Sequence, residues 1–240
     1  MIVEIVTHFA GGEILAGSHD MPLRLVLVDV DGTLIDGQSY TSLLKELWQR
    51  GWRRWRLVGL LCSRLPYQLL RRLHLTNRME NQVRWARGMA WLLAGAAVPE
   101  VQALMSAACR RLAPRIRTAL VTELDEHRRA GREICLASTA IEPLLAELAP
   151  LVHAERWVGT RVAVADGRYT GGLSGDVCHG AGKLERVEAA AGRGIDWAGS
   201  YAYSDGLPDL PMLERVGQPV VVDPDRELAA IARSRSWRVV

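Results

Sequence analysis

The chain has 240 residues and a formal net charge of +3, and 49% of its residues are hydrophobic. This length accommodates one sizeable core with a smaller additional domain, and the composition is ordinary for a globular protein. The longest apolar run, residues 89–98, is interrupted by a glycine. It is too short to form a helix that spans a membrane.

Residues 1–22 contain no Lys or Arg, so they lack the charged segment that opens a secretory signal peptide. We expect a leader of uncertain order, or an upstream start ahead of Met21. The cysteines form no CxxC pair and have no His at zinc-ligand spacing, so we expect reduced thiols and a cytoplasmic protein. They are Cys62, Cys109, Cys135 and Cys178.

The first strong motif is residues 25–34, in which four apolar residues run into Asp29 and Asp31 and then into Gly-Thr. The run predicts a buried parallel strand that ends at a turn, with both carboxylates at its carboxyl end. Two close carboxylates suit a divalent metal, or a nucleophile beside an acid/base. The alternative is an Asp pair that caps the turn.

Residues 38–119 show helical spacing only and are interrupted by Pro66, Pro99 and Pro114. They predict an all-helical insertion. Residues 45–117 contain fifteen Arg or Lys against three Glu, whereas the rest of the chain has fifteen basic and twenty-four acidic residues. The small net charge therefore conceals a basic insertion on an acidic core.

Arginines and tryptophans alternate at the start of this insertion: Trp52, Arg53, Arg54, Trp55 and Arg56. The bland interpretation is a solvated helix surface with tryptophans in the core. A basic face could also steer phosphorylated substrates towards a cleft. Contact with an anionic membrane surface is a further alternative, and nucleic acid is the least favoured partner.

After the insertion, strand and helix patterns alternate, which predicts a doubly wound, mostly parallel, Rossmann-like α/β sheet. The predicted elements are helix 120–129, strand 133–137, helix 142–149, a β-ribbon over 156–173 with Asp166-Gly167 as its turn, helix 182–191, strand 199–203, helix 209–215, strand 219–222 and helix 225–234.

Polar residues follow two of these strands and open one helix. They are Ser138 and Thr139, Asp205 and Asp209, and Lys183. Each has an ordinary structural alternative. Ser138 could cap the next helix, Lys183 could be solvated, and the two acids could belong to a turn.

The ordered set of motifs resembles the haloacid dehalogenase-like hydrolase superfamily, in its phosphoserine phosphatase-like branch (subfamily IB), over residues 24–240. The resemblance implies an α/β catalytic core formed by residues 23–37 and 120–240, with residues 38–119 as a helical cap. The motifs that carry it are Asp29-Val30-Asp31-Gly32-Thr33, then Ser138, then Lys183, then Asp205 and Asp209.

The resemblance also assigns chemical roles. Asp29 would attack the phosphate and form an aspartyl phosphate, and Asp31 would act as general acid and then as general base. Mg²⁺ would bind Asp29, Asp205 and the backbone carbonyl of Asp31. Asp209 would orient a metal-bound water or Lys183.

The phosphoryl group would be held by Lys183 and by the hydroxyl of Ser138, with the backbone near Gly32 and the neighbouring Thr33 and Thr139 completing the cradle. These residues imply a small phosphorylated substrate and no nucleic acid partner.

One position departs from true phosphoserine phosphatases, which carry an acid nine residues after the nucleophile. Gln38 stands there and offers no full charge, which argues against phosphoserine itself. We therefore expect an Mg²⁺-dependent hydrolase of some other phosphate monoester. A phosphotransferase with the same intermediate, or a binding or scaffold protein with a degenerate site, is the alternative.

Overall fold

The computed structural model describes residues 22–72, 78–192 and 194–240, and the side chains of residues 64–80 fall outside that description. The predicted leader lies almost wholly outside the described residues. Everything below concerns the described residues.

The secondary structure alternates as predicted in the second half of the chain. The strands are β1 (Leu25–Val28), β2 (Glu133–Ile141), β3 (Arg156–Thr160), β4 (Val162–Ala165), β5 (Arg168–Leu173), β6 (Tyr201–Ser204), β7 (Gln218–Val221) and β8 (Arg238–Val239). The α-helices are α1 (Ser39–Gln49), α2 (Arg54–Arg72), α3 (Arg78–Leu93), α4 (Val98–Leu112), α5 (Thr118–Arg129), α6 (Glu142–Leu148), α7 (Ala181–Ala191), α8 (Leu210–Arg215) and α9 (Arg226–Ser234).

Six strands form one parallel sheet in the order β3-β2-β1-β6-β7-β8. The chain leaves β1 towards β2 and later returns on its other side as β6. The carboxyl ends of β1 and β6 therefore lie at the point where the strand order reverses, which is where open α/β sheets bind ligands. The predicted fold class is confirmed.

Strand β1 is buried along its whole length because both faces of the sheet are covered. Val26 and Val28 pack into one apolar cluster, which extends into the helical insertion. Leu25 and Leu27 point to the opposite face and pack into a second cluster. A run of apolar residues without alternation is typical of such a central strand.

The predicted ribbon over 156–173 is wrong in its first part. Residues 156–160 form β3, which pairs in parallel with β2 at the edge of the main sheet. Only β4 and β5 form an antiparallel hairpin, and its turn is Asp166-Gly167 as predicted. Both turn residues have positive φ, +48° and +70°, which an Asp-Gly pair adopts readily.

Three further boundaries differ from the prediction. Strand β2 continues to Ile141, although its pairing with β3 becomes irregular after Ala137. The helix predicted from residue 209 is preceded by a 3₁₀ turn over Leu207–Asp209. The short strand β8 was not predicted, because two exposed residues at the edge of a sheet carry no periodic signal.

Helices α1 to α4 lie between β1 and α5 and supply the predicted all-helical insertion. Helix α4 packs on α1 and on α6 of the core, and α3 packs on β5. A backbone hydrogen bond from Tyr169 N–H to the Ala96 carbonyl (2.9 Å) ties the hairpin to the insertion. The exact boundaries of a cap domain stay a prediction.

Within the described residues, none of the helices combines the length and apolar character needed to cross a lipid bilayer.

Candidate active site

The loop after β1 is folded tightly against the end of β6. The Asp29 N–H donates to the Tyr203 carbonyl (3.0 Å), and the Leu34 N–H donates back to the Asp29 carbonyl (3.2 Å). Gly32 has φ +94°, and a Cβ at that position would lie 2.5 Å from Oδ2 of Asp205. Glycine is therefore required there both for its conformation and for the close approach of Asp205.

Lys183 joins two of the predicted acids. Its Nζ lies 2.6 Å from Oδ1 of Asp29 and 2.7 Å from Oδ1 of Asp209, and its side chain is only 3% exposed. Helix α7 begins two residues earlier, so its first turn carries Lys183 to the strand ends. The alternative of a solvated Lys183 is wrong.

Ser204 holds the far side of Asp209. Its hydroxyl donates to Oδ2 of Asp209 (2.7 Å), while Oδ1 of Asp209 faces Lys183. Asp209 is buried and anchored by both contacts. Ser204 was not among the predicted site residues, although it is the last residue of β6 and stands directly before Asp205.

Asp205 and Asp29 approach each other across Thr33. The buried Thr33 hydroxyl lies 3.5 Å from Oδ2 of Asp29 and 3.4 Å from Oδ1 of Asp205. Both carboxylates therefore lie beside the same hydroxyl, close enough for the charge of Asp205 to raise the pKa of Asp29.

Asp31 points towards the insertion. Its Oδ1 accepts a hydrogen bond from the backbone N–H of Ser39 (2.6 Å), the first residue of α1. Burial raises the pKa of Asp31, and the Ser39 N–H partly opposes that rise. A carboxyl with a raised pKa is suited to carrying a proton near neutral pH.

The electrostatics of Asp29 and Lys183 are coupled. Burial raises the pKa of Asp29 to about 8, the nearby Lys183 opposes this rise, and the carboxylates of Asp209 and Asp205 add to it. Burial lowers the pKa of Lys183, but the charges of Asp209 and Asp29 outweigh burial and hold it above its ordinary value. We refer to Asp29, Asp31, Lys183, Asp205 and Asp209 as the acid–lysine cluster. One lysine faces four acids, so the cluster favours a further cation.

Ser138 lies on the other side of the site and is buried. Its Oγ accepts a hydrogen bond from the Ala140 N–H (3.1 Å), and an oxygen that accepts can still donate its own proton. The alternative that Ser138 caps the next helix is wrong, because the N-cap of α6 is Ile141.

A cavity of about 60 Å³ opens beside these groups, between the core and the insertion. Predicted site residues that line it are Asp29, Asp31, Gln38, Ser138 and Thr139. The other predicted residues do not form its wall. Lys183 contacts Asp29 directly, Thr33 lies near Asp29 and Asp205, and Gly32 packs on Asp205.

The described residues contain no preformed group of three or more His, Cys, Asp or Glu side chains arranged to hold a metal ion. Mg²⁺ does not require one, since it keeps several waters and binds one or two carboxylates together with substrate phosphate. The neighbouring carboxylates of Asp29 and Asp205 and the excess of acids over lysine fit that ion.

The alternating arginines and tryptophans of the insertion bind their own fold. Arg56 donates to the Ala94 carbonyl (2.9 Å), just past the end of α3, and Arg53 donates to the same oxygen. The Arg56 guanidinium also lies over the rings of Trp55 (5.0 Å) and Trp91 (5.6 Å). Arg54 lies over the Trp48 ring. We refer to five residues as the Arg–Trp cluster: Arg53, Arg54, Trp55, Arg56 and Trp91.

The Arg–Trp cluster therefore matches neither the expectation of a solvated helix surface nor that of a substrate-steering face. Two arginines stabilise the end of α3, which favours the structural interpretation over substrate steering. Trp55 and Trp91 are not core residues, since they are 69% and 40% exposed. Trp52, by contrast, is partly buried and packs against the core, as the bland interpretation predicts. No feature of the described residues supports the membrane-surface alternative.

Residues 26–214 match the model of the haloacid dehalogenase-like hydrolases, and this match, together with the strand order and the acid–lysine cluster, shows that the chain belongs to that family. The predicted family is confirmed.

Named relatives narrow the family to its phosphoserine phosphatase-like branch. The chain is 32% identical over 217 residues, 88% of this chain and 68% of the other, to "Phosphoserine phosphatase SerB1" of Mycobacterium tuberculosis. It is 31% identical over 226 residues to the "Inhibition of morphological differentiation protein" of Streptomyces azureus, covering 93% of this chain and 80% of that one.

Among solved structures, a protein of unknown function from Bordetella pertussis superposes with a TM-score of 0.76 at 27% identity, covering 92% of this chain and 99% of that one. The predicted enzyme class, a phosphoric monoester hydrolase, agrees with the family and with its named phosphatases.

Proposed function

We propose that the protein hydrolyses a small phosphate monoester with Mg²⁺ through a phosphorylated Asp29. The observation that carries the proposal is the position of Asp29: it lies at the end of the central strand, lines the cavity and is held 2.6 Å from the buried ammonium of Lys183. A carboxylate in that place can attack phosphorus, and the neighbouring cation favours its ionised form and so opposes the effect of burial on its pKa.

In the first step, an oxygen of Asp29 forms a bond to phosphorus while the bond from phosphorus to the leaving oxygen breaks. The carboxyl of Asp31 donates its proton to that oxygen, so a neutral alcohol leaves. Lys183 offsets charge on Asp29 and on the transferring group, and the Ser138 hydroxyl donates to a phosphoryl oxygen.

In the second step, water attacks the phosphorus of the aspartyl phosphate. Asp31, now ionised, takes the proton of that water, and inorganic phosphate leaves with Asp29 restored. Asp209 and Ser204 hold Lys183 in place throughout, because Asp209 contacts both.

Asp29, Asp205 and the backbone carbonyl of Asp31 are the groups that would hold Mg²⁺. The ion would neutralise charge between the substrate dianion and the carboxylates, which otherwise repel each other.

Hydrolysis of 4-nitrophenyl phosphate tests the proposal. Turnover should require added Mg²⁺, disappear with excess chelator and return when Mg²⁺ is restored. Undiminished turnover in excess chelator would contradict the mechanism. The phosphotransferase alternative predicts phosphorylated products when alcohols are added, at the expense of free phosphate.

A further inference from the structure

On the side of the insertion, the cavity wall is formed by one stripe of α3 together with the start of α1. This stripe lines the cavity with the adjacent Asn81 and Gln82, then with Trp85 and Met89, which follow at helical spacings of three to four residues. Tyr40 of α1 stacks on Trp85, with ring centroids 4.2 Å apart and planes inclined by 15°. The leaving group of a phosphate bound at Asp29 would meet this wall.

Two amide oxygens on the stripe have no hydrogen-bond partner within the described part of the chain. They are Oδ1 of Asn81 and Oε1 of Gln82, and both are buried from solvent. Buried polar atoms are nearly always paired in proteins, so two adjacent exceptions beside a cavity require an explanation. The last torsion of Asn and Gln is soft, so a small rotation can present each oxygen to a ligand.

The charges of the wall limit what that ligand can be. Among the described residues that line the cavity, the only ionisable acids or bases besides Tyr40 are Asp29 and Asp31. No described lining residue is an Arg, Lys or His that could neutralise a carboxylate on the leaving group. A leaving group with a carboxylate would therefore meet no cationic side chain among the described lining residues, since Lys183 already pairs with Asp29 and Asp209.

The size of the cavity sets a second limit. A volume of 60 Å³ corresponds to about four water molecules, at roughly 15 Å³ each. The remaining wall includes apolar Met89, Leu144 and Ile141. These dimensions fit an alcohol of a few carbon atoms.

We propose that Asn81 and Gln82 determine substrate specificity by accepting hydrogen bonds from the leaving group, so that the substrate is the monophosphate of a small alcohol that carries hydroxyl or amino donors and no carboxylate. The inference rests on the proposed function and adds the substrate class to it. The inference does not depend on Gln38, because it follows from the unpaired acceptors of Asn81 and Gln82 on α3.

Four alkyl phosphates distinguish the relevant chemistries. Glycerol 3-phosphate offers hydroxyl donors, phosphoethanolamine offers an ammonium, phosphoserine adds a carboxylate to the ammonium, and n-propyl phosphate offers no donor. We expect kcat/KM for glycerol 3-phosphate or phosphoethanolamine to exceed that for n-propyl phosphate by at least about 10-fold. Phosphoserine should fall below phosphoethanolamine by a similar factor. The donor substrate with the higher kcat/KM shows whether the leaving group carries hydroxyl or amino donors.

Matched variants locate the preference. Asn81→Leu and Gln82→Met keep the shape of each side chain and remove the acceptor. Each should reduce kcat/KM for the preferred donor substrate by about 10-fold, and leave n-propyl phosphate and 4-nitrophenyl phosphate within about two-fold. Gln102→Met, on the exposed face of α4, should change none of these values.

Equal rates for n-propyl phosphate and the donor substrates in the wild type would overturn the inference, as would a clear preference for phosphoserine. An equal loss on all substrates in the variants would also overturn it. If a variant does not fold, the wild-type comparison still decides. Absence of Mg²⁺-dependent turnover on 4-nitrophenyl phosphate would instead refute the proposed function, and the inference with it.

Discussion

The acid–lysine cluster and the Arg–Trp cluster are both dense in charge, but the fold uses them in different ways. Lys183 is buried, and both of its carboxylate partners are fixed by strand ends. The guanidinium of Arg56 lies over two exposed tryptophan rings and binds a carbonyl just past the end of a helix. Charge density by itself therefore does not identify a functional site. We propose the acid–lysine cluster as the functional site because it is buried beside the end of a central strand.

The energetics of the two clusters differ for the same reason. A buried ion pair is costly to desolvate, and removal of one partner leaves an uncompensated charge. In the acid–lysine cluster, Lys183 is paired with both Asp29 and Asp209. Exposed arginines are screened by water and salt, so each contributes little, and their loss should alter stability more than chemistry.

The largest expected effect is at the strand end. Asp29→Asn should reduce kcat by at least about 10⁴-fold because the nucleophile is gone. Asp31→Asn retains the nucleophile and should lose about 10²- to 10⁴-fold, the usual contribution of a general acid–base. Steady-state kinetics on 4-nitrophenyl phosphate measure both. Asp36→Asn, an exposed residue of the same loop, should behave as wild type. Near-normal activity of Asp29→Asn would mean that another group is the nucleophile.

The second effect concerns Lys183, whose Nζ contacts Asp29 and Asp209. Lys183→Met should reduce kcat by about 10²- to 10³-fold. Its loss should also raise the pKa of Asp29 further, because the opposing cation is removed, so the defect should grow as pH falls. A pH–rate profile of the variant measures both, with the exposed Lys45→Met as control. A uniform loss at all pH values would contradict the assigned role.

The third effect separates the two clusters directly. Arg56→Ala removes the hydrogen bond to the Ala94 carbonyl and should lower the free energy of unfolding by about 1 kcal/mol. Arg54 is exposed and lies over the Trp48 ring. Arg54→Ala should therefore change the free energy of unfolding by less than about 0.5 kcal/mol. Denaturant titration gives both values.

Neither arginine variant should change kcat on 4-nitrophenyl phosphate. If Arg56→Ala instead raised KM in a salt-dependent way with unchanged stability, the cluster would be steering substrate, and the contrast between the two regions would fail.

The smallest expected effect concerns the hydrogen-bonded network of His127, Tyr203 and Glu123. His127 Nε2 lies 2.8 Å from the Tyr203 hydroxyl, which donates to Glu123 (2.7 Å). Burial holds the pKa of His127 below its ordinary value of 6.5. The unfolded chain therefore binds a proton that the folded chain resists.

Because of this difference, the free energy of unfolding should fall as pH drops below about 6.5. His127→Gln, which can still donate to Tyr203, should flatten that dependence by up to about 1 kcal/mol. Denaturant unfolding at pH values between about 5 and 7.5 tests it. Identical slopes in the two proteins would contradict it.

The central strand and its acids could be predicted from sequence because an apolar run ending in polar residues leaves few alternatives for a parallel sheet. Asp29, Asp31 and Asp205 follow such strands, and the structure places Asp29 and Asp205 on opposite sides of Thr33. The ordered motif also selected Lys183, which no local pattern distinguishes from a solvated lysine.

Other features could not be predicted, because they depend on packing between distant segments. Residues 156–160 have the alternation of a ribbon, but β2 provides an edge that they join in parallel. The count of basic residues could not reveal that Arg53 and Arg56 bind a carbonyl about forty residues away. In the sequence, Asn81 and Gln82 have no pattern that distinguishes them from other polar residues, and only the packing of α3 beside the cavity does so.

A search for the covalent intermediate tests the role of Asp29 most directly. Asp31→Asn should form the aspartyl phosphate and release it slowly, so rapid acid quench after mixing with substrate and Mg²⁺ should trap it. Mass spectrometry of the digested protein should then find one phosphate on the peptide that contains Asp29, removable by hydroxylamine, and none in the double variant Asp29→Asn/Asp31→Asn. Phosphate on another residue, or turnover by the single variant with no adduct at any time, would contradict the mechanism.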